Sequence, residues 1–408
     1  MTDELASRRG PWLPQVHQLL NQGVSEGAFP GGACAIYLRG EMIHLSAAGD
    51  AQLVPKTVAT KPEALYDLAS LTKILATTTL TAVLAGEGAL QLDELVRKQL
   101  PAFARGGKAR ITVRDLLAHR SGLPAWKPYF KLSQNDAGAA PLFAGSRTPS
   151  AVQRSRTLVS TAALEELPER NPGQAAVYSD VGFIVLGLLL ERASGMGLDA
   201  LAHEKIFRPL GLKSLHFRPL DARKLPAFDT IAATGLRRPR EPAAGQEGLY
   251  TQGEVGEPRS GQVDDDNAFA LGGVSGHAGL FGAAQDVARL GALILEELDG
   301  AARLAPKSIW TELATRDANT PNSTRALGFD TPSAQGSSAG TRLGRGPLGA
   351  LGHTGFTGTS LWLDRDRALS VALLTNRVHP DRSRTGIIAF RPRFHDAVVG
   401  AVEALANS

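Results

Sequence analysis

The chain has 408 residues, 43% hydrophobic and 21% charged, a length that buries a large core and fits about two domains. Its net charge of +4 is scattered along the sequence, which excludes the basic stripe of a nucleic-acid binder. The single cysteine, Cys34, excludes an intramolecular disulfide, and no apolar run reaches the roughly 18 residues of a membrane span.

Residues 1–10 hold acidic side chains and no apolar core, so no signal peptide is expected and the cytoplasm is the default compartment. From about Pro11 to Gly27, the spacing of Leu13, Val16, Leu19, Leu20 and Val24 predicts a helix. Ala33–Leu38 and Met42–Ala47, joined by Arg39-Gly40-Glu41, predict a β-hairpin, with Cys34 as a small buried side chain in its first strand. A helix is predicted from Ser70 to Gly86 through Ile74, Leu75, Leu80 and Leu84. Further helices are expected at Val113–His119, Thr161–Leu167 and Val181–Ser194, with a surface loop at Gln134–Ser150. Arg218–Asp266 is rich in Pro, Gly, Arg and Glu and reads as an irregular covering segment. Thr359–Leu363 and Leu369–Thr375 then read as strands about a turn, and a helix from about Ala389 to Ala406 closes the chain. This order predicts an α/β (α+β) protein. Residues 1–65 and 268–408 form one sheet domain, 66–217 an inserted helical domain and 218–267 the covering segment.

Three short motifs carry chemistry. Ser70-Leu71-Thr72-Lys73 is the one S-x-x-K in the sequence; on a helix, i and i+3 share a face, so the Lys73 amine falls beside the Ser70 hydroxyl and can activate it. Tyr178-Ser179-Asp180 follows the turn signal Pro172-Gly173. A lysine cation near Tyr178 would favour the phenolate and make it a general base, while Asp180 can hold the ammonium. Taken alone, Tyr178 also fits a core aromatic. His353-Thr354-Gly355 leads into the strand Thr359–Leu363 or forms its first part, where small residues let a substrate pair with the strand edge. Taken alone, His353 also fits a structural histidine. No HExxH, Cys/His cluster or nucleotide loop is present, so neither metal nor cofactor is expected.

Together, S-x-x-K, a tyrosine about a hundred residues on and His-Thr-Gly before a C-terminal strand resemble the serine β-lactamase and penicillin-binding-protein superfamily. The tyrosine form resembles class C β-lactamases, D-Ala-D-Ala carboxypeptidases and related esterases. Ile111–Leu123, Gly182–Gly187 and Pro209–Leu212 extend the likeness over most of the chain. The resemblance implies an antiparallel sheet flanked by N- and C-terminal helices, an inserted all-helical domain, and a site between them. It implies that Ser70 forms an acyl-enzyme, that Lys73 and Tyr178 move its proton, and that Asp180 positions Lys73. The N–H groups of Ser70 and Phe356 would hold the oxyanion. His353, Thr354 and Gly355 would orient the substrate, and His277 would line the cleft or steady a turn.

Three departures from the family pattern matter. Asp180 stands where Asn is more usual, which would raise Lys73 and move the base role toward Tyr178. His353 stands where β-lactamases generally have lysine, which disfavours β-lactams. In a narrower subgroup, read from Leu271–Phe281 and Gly352–Leu363, Asp264 replaces a histidine. The expected activity is hydrolysis of amide or ester bonds in peptidoglycan-type peptides or small esters. A β-lactamase is the alternative enzyme, and a non-hydrolytic penicillin-binding sensor the alternative of another class. A small-molecule or peptide substrate is the expected partner, with no nucleic acid or membrane and a monomer favoured.

Overall fold

A computed structural model of the chain describes residues 12–139, 148–221, 225–236, 258–318, 320–321 and 323–406. Helix α1 (Pro14–Ser25) leads into β1 (Gly31–Leu38) and β2 (Glu41–Gln52), the predicted hairpin, with β3 (Val58–Ala59) beyond it. The central sheet has six strands in the order β3-β2-β1-β11-β10-β9, where β9 is Ala350–Thr354, β10 Ser360–Asp364 and β11 Leu369–Thr375. All its pairings are antiparallel, and β1 lies against β11 from Gly32↔Thr375 to Leu38↔Leu369. The two ends of the chain thus build one sheet.

Strand residues alternate between faces. Cys34, Ile36, Val371 and Leu373 pack with Val16, Leu20, Phe390 and Phe394 of α1 and the last helix, α11 (Ile387–Ala406). On the other face Ala35, Tyr37, Ala372 and Leu374 join a larger core with α9 (Ala284–Asp299) and the helical part of the chain. Covering both faces explains why β1 and β11 read as continuous apolar runs. Cys34 sits in this interior, where burial pushes its thiol up to about 12, so it stays an unreactive packing group.

The part between the sheet's halves holds β4 (Tyr66–Asp67), α2 (Lys73–Gly86), α3 (Val113–Leu117), α4 (Phe130–Gln134), α5 (Pro149–Glu165), α6 (Asp180–Ser194), α7 (Leu198–Phe207) and β5 (His216–Phe217). It is not wholly helical, since β4 and β5 at its ends pair with β8 (Leu280–Gly282) in a second sheet that closes the insertion. The predicted helix at 161–167 is only the end of α5, which begins at Pro149 behind a Thr148 N-cap. The loop expected over 134–150 is therefore shorter, and residues 140–147 lie outside the described part. In the segment expected to be irregular, β6 (Ala233–Leu236) pairs with β7 (Pro258–Ser260), and α8 (Asp266–Ala270) follows; 222–224 and 237–257 are outside the described residues. His-Thr-Gly neither leads directly into the strand at 360 nor forms its first part: His353 and Thr354 end a strand of their own, β9, at the sheet edge, and a turn follows before β10. Helix α10 (Lys307–Ala314) packs on α9 and α2. Among the described residues no single helix is long and apolar enough to cross a membrane.

The helices that carry the motifs meet at glycines. A Cβ on Gly276 would fall 2.2 Å from the Phe183 carbonyl and 2.9 Å from Gly187 Cα, both on α6. The Gly276 carbonyl accepts from Thr77 of α2 at 2.7 Å. Gly276→Ala is expected to force α6 off this contact and cost about 1–3 kcal/mol, read as a lowered Tm. An unchanged Tm would mean the packing is looser than this.

Candidate active site

Ser70 lies on the turn from which the helix starts, close to the predicted helix start. The preceding Ala69 takes φ +47°, a left-handed conformation uncommon outside glycine. Asp67 supports it: one carboxylate oxygen accepts the Ala69 N–H at 2.9 Å and the other the Asp264 N–H at 2.6 Å. Burial pushes the Asp67 carboxyl up to about 7. Lys73 opens a π-helical stretch, Lys73–Thr78, whose looser turn is common at functional sites.

Two groups converge on the serine. Lys73 Nζ is 3.0 Å from Ser70 Oγ, and the Tyr178 hydroxyl donates to the same oxygen at 2.8 Å. Nζ also reaches Asp180 Oδ1 at 2.7 Å and the His277 carbonyl at 3.0 Å. Both of those atoms are acceptors only. A neutral lysine therefore gives its two N–H bonds to them and turns its lone pair toward the one neighbour with a proton to lose, Ser70. The side chain of Lys73 is fully buried, and that burial pulls its pKa below the usual amine range although Asp180 pushes it up. The expected push of Asp180 on Lys73 is present, and burial outweighs it.

Tyr178 also departs from expectation. Burial, followed by the Asp180 carboxylate, holds its phenol well above the ordinary value. The resting side chain is a protonated donor, which corrects its reading as a base with a lowered pKa. Asp180 opens α6 directly after the Ser179 N-cap, whose hydroxyl accepts the Gly182 N–H. This cap places Tyr178 and Asp180 on either side of the serine's partners.

The turn after β9 is stitched to the segment before Ser70. Thr357 Oγ1 donates to the Asp67 carbonyl at 2.8 Å and Thr359 Oγ1 to that of Leu68 at 3.1 Å. A Cβ on Gly355 would meet the Leu68 carbonyl at 2.7 Å, so only glycine lets the turn come this close. Among the described residues neither the Ser70 N–H nor the Phe356 N–H has a partner. Both residues line one cleft of about 870 Å³, as do Thr354 and Gly355. The arrangement suits an oxyanion.

One sequence-derived substrate contact changes its meaning. His353 is buried, and burial brings its pKa down to about 4, so it is neutral. Its Nδ1–H serves the Thr354 carbonyl at 2.7 Å and among the described residues Nε2 has no partner, so it is no donor to a substrate carboxylate. The His277 imidazole is bonded to Ser275 Oγ at 2.8 Å and Asp265 Oδ1 at 2.9 Å. His277 lines the cleft, and its carbonyl accepts from Lys73.

Other residues of the site carried no signal in the motifs. His119 packs its ring on Tyr178, with centroids 4.8 Å apart, and its Nδ1 accepts the Ser179 N–H. The Arg325 guanidinium lies 5.1 Å from the centre of the Tyr178 ring and is paired with Asp330. Arg377 and Arg391 stand behind the Phe356 turn. Asp264, of the substituted position, is paired with Arg382 at 2.5 Å on the cleft wall. His119 falls in a segment that resembled the family; the arginines come from parts of the chain that no spacing ties to Ser70.

A family model described as Beta-lactamase matches residues 16–391. A putative D-alanyl-D-alanine carboxypeptidase of Escherichia coli O157:H7 is 31% identical over 391 residues, covering 90% of this chain and 82% of that protein. An N-acetylmuramyl-L-alanine amidase of Bacillus subtilis is 30% identical over 393 residues, covering 90% and 81%. Among solved structures, a penicillin-binding protein homologue from Caulobacter crescentus has the same fold, with a TM-score of 0.68 at 20% identity over 95% of this chain and 97% of that one.

Proposed function

The chain belongs to the Beta-lactamase family of serine hydrolases, and from that premise we propose that it cleaves amide or ester bonds of peptidoglycan-type peptides through an acyl-enzyme on Ser70. The observation that carries this reading is the convergence of Lys73 and Tyr178 on Ser70 Oγ at 3.0 and 2.8 Å, beside an open cleft. Neutral Lys73 takes the Ser70 proton as Oγ attacks the carbonyl carbon. The new ammonium is held by Asp180 and the His277 carbonyl. The Ser70 and Phe356 N–H groups bind the oxyanion. The leaving group takes the Tyr178 proton as its bond to carbon breaks, and Tyr178 recovers one from Lys73. Water then attacks the acyl-enzyme, gives its proton to the same pair, and Ser70 is restored.

The substrate class is supported by the relatives named for D-Ala peptides and muramyl amides and by the cleft at the Thr354 end of β9, which leaves room for a peptide beside Ser70. A neutral, buried His353 where β-lactamases carry lysine argues against the β-lactam reading. Comparing kcat/KM on D-Ala-D-Ala peptides, muramoyl-peptides, nitrophenyl esters and nitrocefin tests the choice. Preference for nitrocefin by tenfold or more would overturn it.

The pH profile has a definite sign. Only the free amine of Lys73 accepts a proton, so kcat/KM rises through the Lys73 pKa. Asp180 favours the ammonium and raises that pKa. Asp180→Asn removes this push, so the acid limb of the profile is expected to move to lower pH. A limb that stays in place or moves upward would mean that Lys73 is not the group being titrated.

A further inference from the structure

Arg391 is a buried cation beside the site whose printed hydrogen bonds go only to carbonyls. It sits in the first turns of α11, 9% exposed, with Nη2 donating to the Gly355 carbonyl at 2.7 Å and to the Thr359 carbonyl at 2.9 Å. Among the described residues no carboxylate pairs with it, and its Nε is buried without a partner. The charge acting on it is that of Arg377, a second cation, which holds the carbonyl of Phe356 at 2.7 Å. Burial lowers the Arg391 pKa to about 10, so it remains charged at neutral pH.

A buried cation without a counter-ion is unfavourable, and an uncharged amide could hold two carbonyls without that penalty. The position of the charge supplies a reason for it. The Gly355 carbonyl and the Phe356 N–H belong to one peptide unit, so a guanidinium on the oxygen draws electron density from the N–H at the other side. That N–H faces the oxyanion in the reading above.

We propose that Arg391 is a positioning residue of the oxyanion site: it fixes and polarises the Gly355–Phe356 peptide, and its positive charge is balanced when the tetrahedral oxyanion forms. The proposal rests on Ser70 as nucleophile and Phe356 N–H as oxyanion donor. It makes the strength of the oxyanion site depend on a residue 36 positions away on a different element.

Three variants separate the charge from the hydrogen bonds and from the helix. Arg391→Gln keeps donors without charge, Arg391→Met removes both, and Arg393→Gln alters the same helix at a pair with Glu26 outside the cleft. The readouts are kcat and KM on p-nitrophenyl butyrate, an uncharged ester, the Ki of phenylboronic acid, which forms a tetrahedral anion on the serine, and the rate of labelling by a fluorophosphonate. Removing one oxyanion donor outright lowers kcat by about 10²–10³-fold. R391Q, which weakens a donor, is expected to lose about 10–100-fold in kcat with KM within about threefold. Boronate affinity should fall in parallel with kcat/KM, R391M should lose more, and R393Q should match the wild type. If R391M does not fold, R391Q alone decides. A wild-type enzyme that the fluorophosphonate does not label overturns the underlying reading together with this one. A labelled wild type with R391Q equal to it in kcat and boronate affinity overturns only the role of Arg391. So does a loss confined to the KM of a carboxylate-bearing D-Ala-D-Ala peptide, which would make Arg391 a direct substrate contact.

Discussion

Ser70→Ala is expected to abolish hydrolysis of every substrate the enzyme accepts, with kcat/KM falling by about 10⁴- to 10⁶-fold. The oxyanion N–H groups and the cleft remain in this variant, so substrate still binds, but no covalent acyl-enzyme can form. Little stability should be lost, because Ser70 is only half-buried and Lys73 keeps Asp180 and the His277 carbonyl. The Tyr178 hydroxyl loses its acceptor, a change worth about 1–3 kcal/mol where no water replaces it. Intact-protein mass after fluorophosphonate treatment should show one adduct on the wild type and none on S70A. Retention of activity within tenfold would assign the nucleophile elsewhere.

The second large effect falls on Lys73. Lys73→Met is expected to lower kcat by about 10²- to 10⁴-fold, the usual range for a lost general base. Lys73→Arg is the sharper test. Arginine keeps the positive charge beside Asp180 but does not deprotonate in a protein. If Lys73 works as a free amine, K73R is nearly as inactive as K73M. If its work is to supply charge, K73R keeps most of the rate, and the proton route through Lys73 fails. Burial favours the first outcome, because it works against the ammonium and outweighs the opposing pull of Asp180.

These expectations turn on facts of different origin. The S-x-x-K spacing, the Tyr178-Ser179-Asp180 segment and the His-Thr-Gly motif were legible because each is local: a few residues on one turn or strand end, with chemistry that side-chain type alone announces. The direction of the Lys73 and Tyr178 shifts was not. Sequence reasoning weighed the charges on each group: Asp180 raises Lys73 as expected, whereas on Tyr178 the Asp180 carboxylate raises the pKa and outweighs the cation Arg325. What outweighs them is desolvation, which depends on how many distant segments close over a side chain. His353 went the same way: the residue type suggested a donor, and its burial with Nδ1 bonded to the Thr354 carbonyl removed that role.

The sequence by itself determined which motif places Ser70 beside Lys73, the hairpin, and an α/β architecture whose sheet joins both chain ends. Those follow from hydrophobic period and from contacts within a turn, which are local quantities. Only the tertiary structure decided how deeply each group is buried and what stands behind the Phe356 turn. The Thr357 and Thr359 hydroxyls reach the Asp67 and Leu68 carbonyls across about 290 residues of chain, and Arg391 reaches the Gly355 carbonyl across 36. Burial and hydrogen bonds at such separations exist only once the sheet edge and the helices have closed on each other, and no spacing along the chain encodes them.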